Sequence, residues 1–177
     1  MIMASEMTDD KPWKRDLARY SSQRRQQVLQ DLEGAIKKAP SFEEALNLTA
    51  DSLKKRFARF SGVTIYVADG EDLVVHVSFE RPVGPERVWS GGGPLADAAH
   101  GHQPTVVSNV AGEPAWAGVG LSRGSVLVAP IRTEAGLWAI IEVYSELRDA
   151  FSSQDVRFME SIVSVLARKT PAVTASE

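Results

Sequence analysis

The chain has 177 residues, of which 44 % are apolar and 24 % charged, and its formal net charge is −3. These figures predict one globular domain with its own core, and they exclude a fibrous or wholly disordered chain. The absence of cysteine excludes disulfides, thiolate catalysis, cysteine-bound zinc and thioether-linked chromophores. No apolar run approaches the ~20 residues of a membrane span and no signal-peptide pattern is present, so we expect a soluble, cytoplasmic protein.

Two helices are predicted before the first strand. Residues 1–10 are polar and are expected to form a disordered tail, whereas 11–39 carry apolar side chains at steps of three and four. A helix over 11–39 is longer than a domain of this size needs for its own core, so we expect it to serve in dimerisation. Ser41 and Glu44 then form a capping box that begins a second helix over 41–59.

The first helix carries an excess of basic side chains. Such an excess could contact nucleic acid or anionic lipid. Neither aromatic interleaving nor a helix-turn-helix accompanies it, so a solvated helix face is favoured. We therefore expect neither a nucleic-acid partner nor a membrane partner.

Alternating β-branched and aromatic residues begin after residue 62. Two such runs flank Asp69-Gly70 and predict a hairpin. The remaining predicted elements are strands over 87–89, 105–110, 125–131 and 137–144, a short helix over 94–100, and a last helix from Ser152 or Ser153. This order indicates an α+β fold with an antiparallel sheet flanked by helices, followed by a second disordered tail over 171–177.

A long glycine-rich segment over 111–124 is predicted to form a loop without regular structure. Loops of this length are uncommon and often functional. Trp116 lies within it, and its large apolar side chain requires cover. Trp116 therefore either plugs a cavity or covers a ligand, and the sequence leaves both open.

Four short motifs follow one another in the second half of the chain: 89–110, 125–131, 138–145 and 151–155. In this order and spacing they resemble the GAF domain family. The resemblance implies a GAF/PAS-like six-stranded antiparallel sheet flanked by helices over 40–170, preceded by the long N-terminal helix. Members of the family hold a small molecule in a cavity between the sheet and the segments after the third strand, and serve as sensors or dimerisation modules.

One branch of that family, the free methionine-R-sulfoxide reductases, is enzymatic and uses cysteines in its redox cycle. This chain has no cysteine. The acidic position of that branch before Pro130 corresponds to Val126, and of the two acids expected after the next apolar run, Glu142 matches one and Tyr144 replaces the other. We therefore expect no reductase activity and no catalytic residue.

The resemblance suggests five candidate ligand-binding residues: Trp89, His100, Trp116, Arg123 and Glu142. The two tryptophans lie in segments that close the cavity of the family. Arg123 and Glu142 are either solvated rim charges or the charged groups of a site for a small carboxylate or phosphate. His100 and His102 could chelate a metal or haem, but no third ligand is apparent, so no metal site is predicted.

The sequence therefore predicts a non-enzymatic, stand-alone GAF-type sensory or regulatory module that binds a small molecule. We expect a homodimer joined through the N- and C-terminal helices. The alternative is a structural dimerisation module whose cavity is filled by its own side chains, and a diverged enzyme is a less favoured third. Fold alone does not choose among these functions, and neither ligand nor cofactor is identified.

Overall fold

The computed structural model describes residues 12–82 and 84–172, with side chains from residue 21 onward. The predicted tail over 1–10 and most of the one over 171–177 lie outside the described residues. Helix α1 spans Pro12–Lys38 and helix α2 spans Phe42–Arg56. The predicted start of α2 is confirmed, because the Glu44 backbone N–H donates to Ser41 Oγ at 3.1 Å.

Helix α2 ends at residue 56, although the sequence pattern predicted 59. Phe57 has extended backbone angles and leaves the helix. Its ring packs against Phe60 with centroids 4.8 Å apart and against Phe158 with centroids 5.4 Å apart. Aromatic packing of the last helix turn against the core therefore ends α2 early.

Six antiparallel strands form one sheet in the order β3-β2-β1-β6-β5-β4. Their bounds are Gly62–Asp69 (β1), Asp72–Phe79 (β2), Arg87–Trp89 (β3), Thr105–Val107 (β4), Ser125–Thr133 (β5) and Gly136–Ser145 (β6). The predicted hairpin is present, with Asp69 paired to Asp72 and Gly70 at φ +61°. The α+β architecture expected from the sequence is confirmed.

Three helices cover one face of the sheet: α1, α2 and α4, which spans Ser153–Ala167. Leu32, Ile36 and Phe158 are buried in this layer within the single chain. These three side chains are therefore covered without a second copy of the chain. The homodimer itself stays a prediction.

The opposite face of the sheet is covered by short segments rather than long helices. Helix α3 spans Ala96–His100, and two 3₁₀ helices span Val110–Gly112 and Pro114–Val119. The sequence pattern predicted a short helix over 94–100 and a loop without regular structure over 111–124, where the 3₁₀ helices lie. The 3₁₀ turns form because Trp116 and Val119 are drawn into the core, which a three-residue spacing brings to one side.

Candidate functional site

Glu142 lies in the middle of β6, on the sheet face that the short segments cover. Its neighbours across the sheet are Thr64 on β1 and Val128 on β5. The strand period of two puts Ile140 and Tyr144 on the same face. Glu142 has no exposed surface, so its carboxylate needs a partner inside the protein.

Arg81 is that partner. Its Nε donates to Glu142 Oε1 at 2.5 Å and its Nη2 donates to Oε2 at 3.2 Å. The guanidinium thus meets both carboxylate oxygens in the two-pronged geometry that makes arginine–carboxylate pairs strong. Only 5 % of the Arg81 side chain is exposed, so this is a buried ion pair.

The backbone conformation around Arg81 places its side chain against the sheet face that carries Glu142. Glu80, just before it, adopts φ +50°, an uncommon conformation for a residue with a side chain. A Cβ at Gly62 would lie 2.9 Å from Arg81 Cβ, and one at Gly84 would collide with the Val119 carbonyl. Glycine at these two positions therefore allows the β2–β3 connection to lie close against β1 and the second 3₁₀ helix.

Burial is the largest influence on the pKa values of Glu142 and Tyr66. It raises the pKa of Glu142, while the charge of Arg81 and hydrogen bonds from Arg81 and Tyr66 oppose the rise. Burial, followed by the charge of Glu142, raises the pKa of the Tyr66 phenol. We call Tyr66, Arg81 and Glu142 the Glu142 cluster.

Trp116 belongs to the apolar layer that covers the Glu142 cluster. It is 4 % exposed and shares one packed group of side chains with Tyr66 and Tyr144. Its backbone N–H donates to the Glu113 carbonyl, and its own carbonyl accepts from Leu121 N–H at 3.0 Å. Trp116 is therefore held firmly as part of the cover.

Three of the predicted site residues are not brought to the Glu142 cluster. Trp89 is 59 % exposed on edge strand β3. A Cβ at Gly91 would lie 2.5 Å from its ring, so the indole packs across that turn. Arg123 is exposed and lies 3.7 Å from Glu146, and His100 is exposed at the end of α3.

Arg81, rather than Arg123, is the guanidinium beside Glu142. The sequence analysis did not select Arg81. One signal was present, because Glu142 interrupts an apolar run in β6 and a buried carboxylate calls for a counter-charge. The sequence did not show which arginine supplies it.

Within residues 12–82 and 84–172, no group of three or more histidine, aspartate or glutamate side chains is placed to hold a metal ion. The helices in those ranges also include none with both the length and the apolar character to cross a membrane.

Comparison with known families supplies the identity of the domain. The GAF domain family model matches residues 39–168, most of the chain. The chain belongs to the GAF domain family. A GAF domain is in general a small-molecule-binding regulatory module, and the Glu142 cluster lies between the sheet and the segments that cover it.

Individual relatives are more distant. The chain is 25 % identical over 120 residues to GAF domain-containing protein A of Dictyostelium discoideum. That alignment covers 68 % of this chain and 75 % of the Dictyostelium protein. The free methionine-R-sulfoxide reductase of Neisseria meningitidis, solved with its substrate, aligns with a TM-score of 0.73 at 24 % identity, covering 82 % of this chain and 87 % of that one.

A second similar structure comes from a phosphotransferase. The GAF domain of a phosphoenolpyruvate-protein phosphotransferase from Coxiella burnetii aligns with a TM-score of 0.71 at 18 % identity. That alignment covers 84 % of this chain and 93 % of the other. At these identities both structures establish the fold alone. The similar structures include a methionine sulfoxide reductase and a GAF domain that is not a reductase.

Proposed function

We propose that this chain is a non-enzymatic, cytoplasmic GAF sensory module that binds a small zwitterionic metabolite at the Glu142 cluster. The observation that carries the proposal is the buried ion pair between Arg81 and Glu142. It lies in the layer between the sheet and the covering segments, where GAF domains hold their ligands.

A buried ion pair is a costly way to fill a core. Well-packed apolar side chains of similar volume are often as stabilising or more so, because both charges have to leave water. Groups whose pKa values are displaced by burial and by a specific charged partner also concentrate at functional sites. A binding role gives a reason for keeping these charges in the core.

The pair also defines the ligand chemistry. A molecule with an ammonium group and a carboxylate can exchange partners with it, the ammonium meeting Glu142 and the carboxylate meeting Arg81. The charge of the site then stays balanced throughout. The Neisseria reductase supports this class of ligand, because its substrate, free methionine-R-sulfoxide, is an amino acid.

The composition of the chain supports binding without sulfoxide reduction. Sulfoxide reduction in the reductase branch proceeds through thiolate attack on sulfur, and this chain has no cysteine. A serine hydroxyl does not form the mixed-sulfur intermediate. We expect the ligand to be released unchanged, and we propose that a ligand-dependent shift of the covering segments is the output.

Native mass spectrometry of protein purified from cells tests for a bound metabolite. Thermal unfolding against a set of free amino acids, including methionine sulfoxide, then tests the zwitterion class. We expect one of them to stabilise the wild type and to leave the double variant Arg81→Met/Glu142→Leu unchanged. The fluorescence of Trp116 should respond to the same ligand. No co-purifying mass and no stabilisation by any member of the set contradict the proposal.

A structural dimerisation module with a self-filled cavity is the second candidate. It is favoured by the close packing of Trp116, Val119 and Leu121 over the sheet. Cavities of about 260–380 Å³ in the described part of the chain open elsewhere on the surface. Ligand-dependent stabilisation of the wild type separates the two candidates, because a structural module keeps its fold and assembly but is stabilised by no member of the set.

A further inference from the structure

A second group of charged side chains lies on the helix side of the sheet. Four arginines line one cavity of about 280 Å³: Arg24, Arg25, Arg56 and Arg59. Two of them are on α1, and the other two lie at the end of α2 and in its connection to β1. The rest of the wall consists of Ser21, Phe57 and Ala58. We call this the arginine cavity.

Among the described residues, two carboxylates contact these arginines. Asp155 is 1 % exposed, and its Oδ1 accepts from Arg25 Nε at 3.1 Å and Arg25 Nη2 at 2.9 Å. The same oxygen accepts from Arg59. Asp31 Oδ2 accepts from Arg56 Nη1 at 2.6 Å. Four guanidinium groups therefore face two carboxylates, which leaves a formal excess of two positive charges.

Arg24 adds a contact that fixes the cavity between two elements. Its Nε and Nη2 donate to the Arg56 carbonyl at 3.1 Å and 2.8 Å, at the C-terminal end of α2. The partial negative charge of a helix C-terminus favours a cation there. A guanidinium has five N–H donors, and within the described residues these contacts engage two of Arg24. Donors therefore remain for an acceptor inside the cavity.

We propose that the arginine cavity binds a phosphate group, either inorganic phosphate or the phosphoryl group of a small monoester. A dianion matches the excess of two positive charges. The planar fork of arginine matches phosphate oxygens in pairs, and such hydrogen bonds are stronger than neutral ones. The cavity volume is close to the lower end of the roughly 300–1,000 Å³ of small-molecule sites.

Phosphate bound here joins α1 to the connection between α2 and β1. This site is on the opposite face of the sheet from the Glu142 cluster, so the inference does not depend on the proposed function. It predicts that phosphate stabilises the docking of α1. The C-terminal part of α1 packs in the core through Val28 and Ile36, so the effect reaches the whole domain.

Isothermal titration calorimetry of the full chain tests the site with two probes, inorganic phosphate and glycerol 1-phosphate, at an ionic strength held constant with sodium chloride. We expect saturable binding at one site per chain. Arg24→Gln and Arg59→Gln are each expected to weaken it by about tenfold or more, because charge-assisted hydrogen bonds are lost. Arg24 is exposed, so its substitution preserves the fold, which circular dichroism verifies.

Arg168→Gln is the matched control. It removes the same charge at the C-terminal end of α4, about 20 Å along the helix from Asp155. We expect its phosphate affinity to equal that of the wild type. Equal weakening in all three variants, or no saturable binding of either probe, overturns the proposal. Tighter binding of glycerol 1-phosphate supports the site and identifies a monoester, and tighter binding of inorganic phosphate supports it and identifies the free ion.

Discussion

Glu142 and Arg81 neutralise each other inside the protein, with 0 % and 5 % of their side chains exposed. Arg81→Met leaves the carboxylate without its counter-charge, so we expect the free energy of unfolding to fall by about 3–5 kcal/mol. Adding Glu142→Leu removes the stranded charge and should restore most of that loss. Urea unfolding followed by circular dichroism measures both. A double variant less stable than Arg81→Met contradicts this account of the pair.

The same carboxyl group gives the stability of the Arg81→Met variant a pH dependence. Burial raises the pKa of Glu142, and Arg81 opposes that rise, so removing Arg81 raises the pKa further. The folded variant then binds the proton more tightly than the unfolded chain does. Its stability is greatest below the ordinary glutamate pKa and is lost as pH rises through the raised pKa.

We therefore expect the stability deficit of Arg81→Met relative to the wild type to be smaller at pH 5 than at pH 8. The double variant Arg81→Met/Glu142→Leu has no carboxyl at residue 142 and serves as the control, with a deficit that does not grow between pH 5 and pH 8. Urea midpoints at the two pH values provide the measurement. A deficit for Arg81→Met that is equal at both would show that Glu142 does not cause it.

The β2–β3 connection is the element that delivers Arg81, and Gly84 sets how closely it can approach. A Cβ at Gly84 would collide with the Val119 carbonyl and lie 2.9 Å from Arg81 Nη1. We expect Gly84→Ala to cost about 1–3 kcal/mol, as overpacking does, and to lower the thermal unfolding temperature. Gly118→Ala is the control, since its Cβ meets nothing within 4 Å. Equal unfolding temperatures for the two variants contradict the close approach.

Elements specified by neighbouring residues could be predicted from the sequence. The β1–β2 hairpin follows from Asp69-Gly70 between two alternating runs, and the start of α2 from the Ser41 cap. The end of α2 and the 3₁₀ turns around Trp116 could not, because both are decided by aromatic side chains packing against distant parts of the core. Patterns along the chain do not contain that information.

Candidate-site residues divide in the same way. Trp116 was selected because a large apolar side chain in a glycine-rich segment requires cover, and Glu142 was selected because it matches an acidic position of the family. Arg81 was missed because its role depends on a partner 61 residues away in sequence. Asp155 lies in the first turn of α4, but the arginines that it contacts, Arg25 and Arg59, come from two other segments of the fold.

The absence of cysteine anywhere in the chain limits the reactions that this protein can catalyse. We expect the purified protein not to reduce free methionine-R-sulfoxide with thioredoxin or dithiothreitol, since there is no thiolate to attack the sulfur. Product analysis by liquid chromatography against a buffer blank provides the measurement. Turnover that scales with protein concentration would refute this expectation.

Assembly is the second property of the whole molecule. We expect a homodimer through α1 and α4, and half-buried Leu29 lies where α1 meets Phe158 of α4. Leu29→Gln should shift a dimer toward monomer at micromolar concentration in sedimentation velocity. Leu48→Gln, on α2 and 39 % exposed, should leave the sedimentation coefficient unchanged. A wild-type chain that sediments as a monomer excludes this interface.

The strand order has a consequence for biosynthesis. The central pair of the sheet joins β1 to β6, with Gly62 opposite Tyr144. The edge of β1 that faces β6 is therefore unpaired until the last strand has been synthesised. Strand pairings this distant in sequence slow folding, and the unpaired edge of β1 can pair with other chains until β6 covers it. A nascent chain therefore holds β1, β2 and β3 as an incomplete sheet until β6 leaves the ribosome. Release of truncated chains before that point should give insoluble protein.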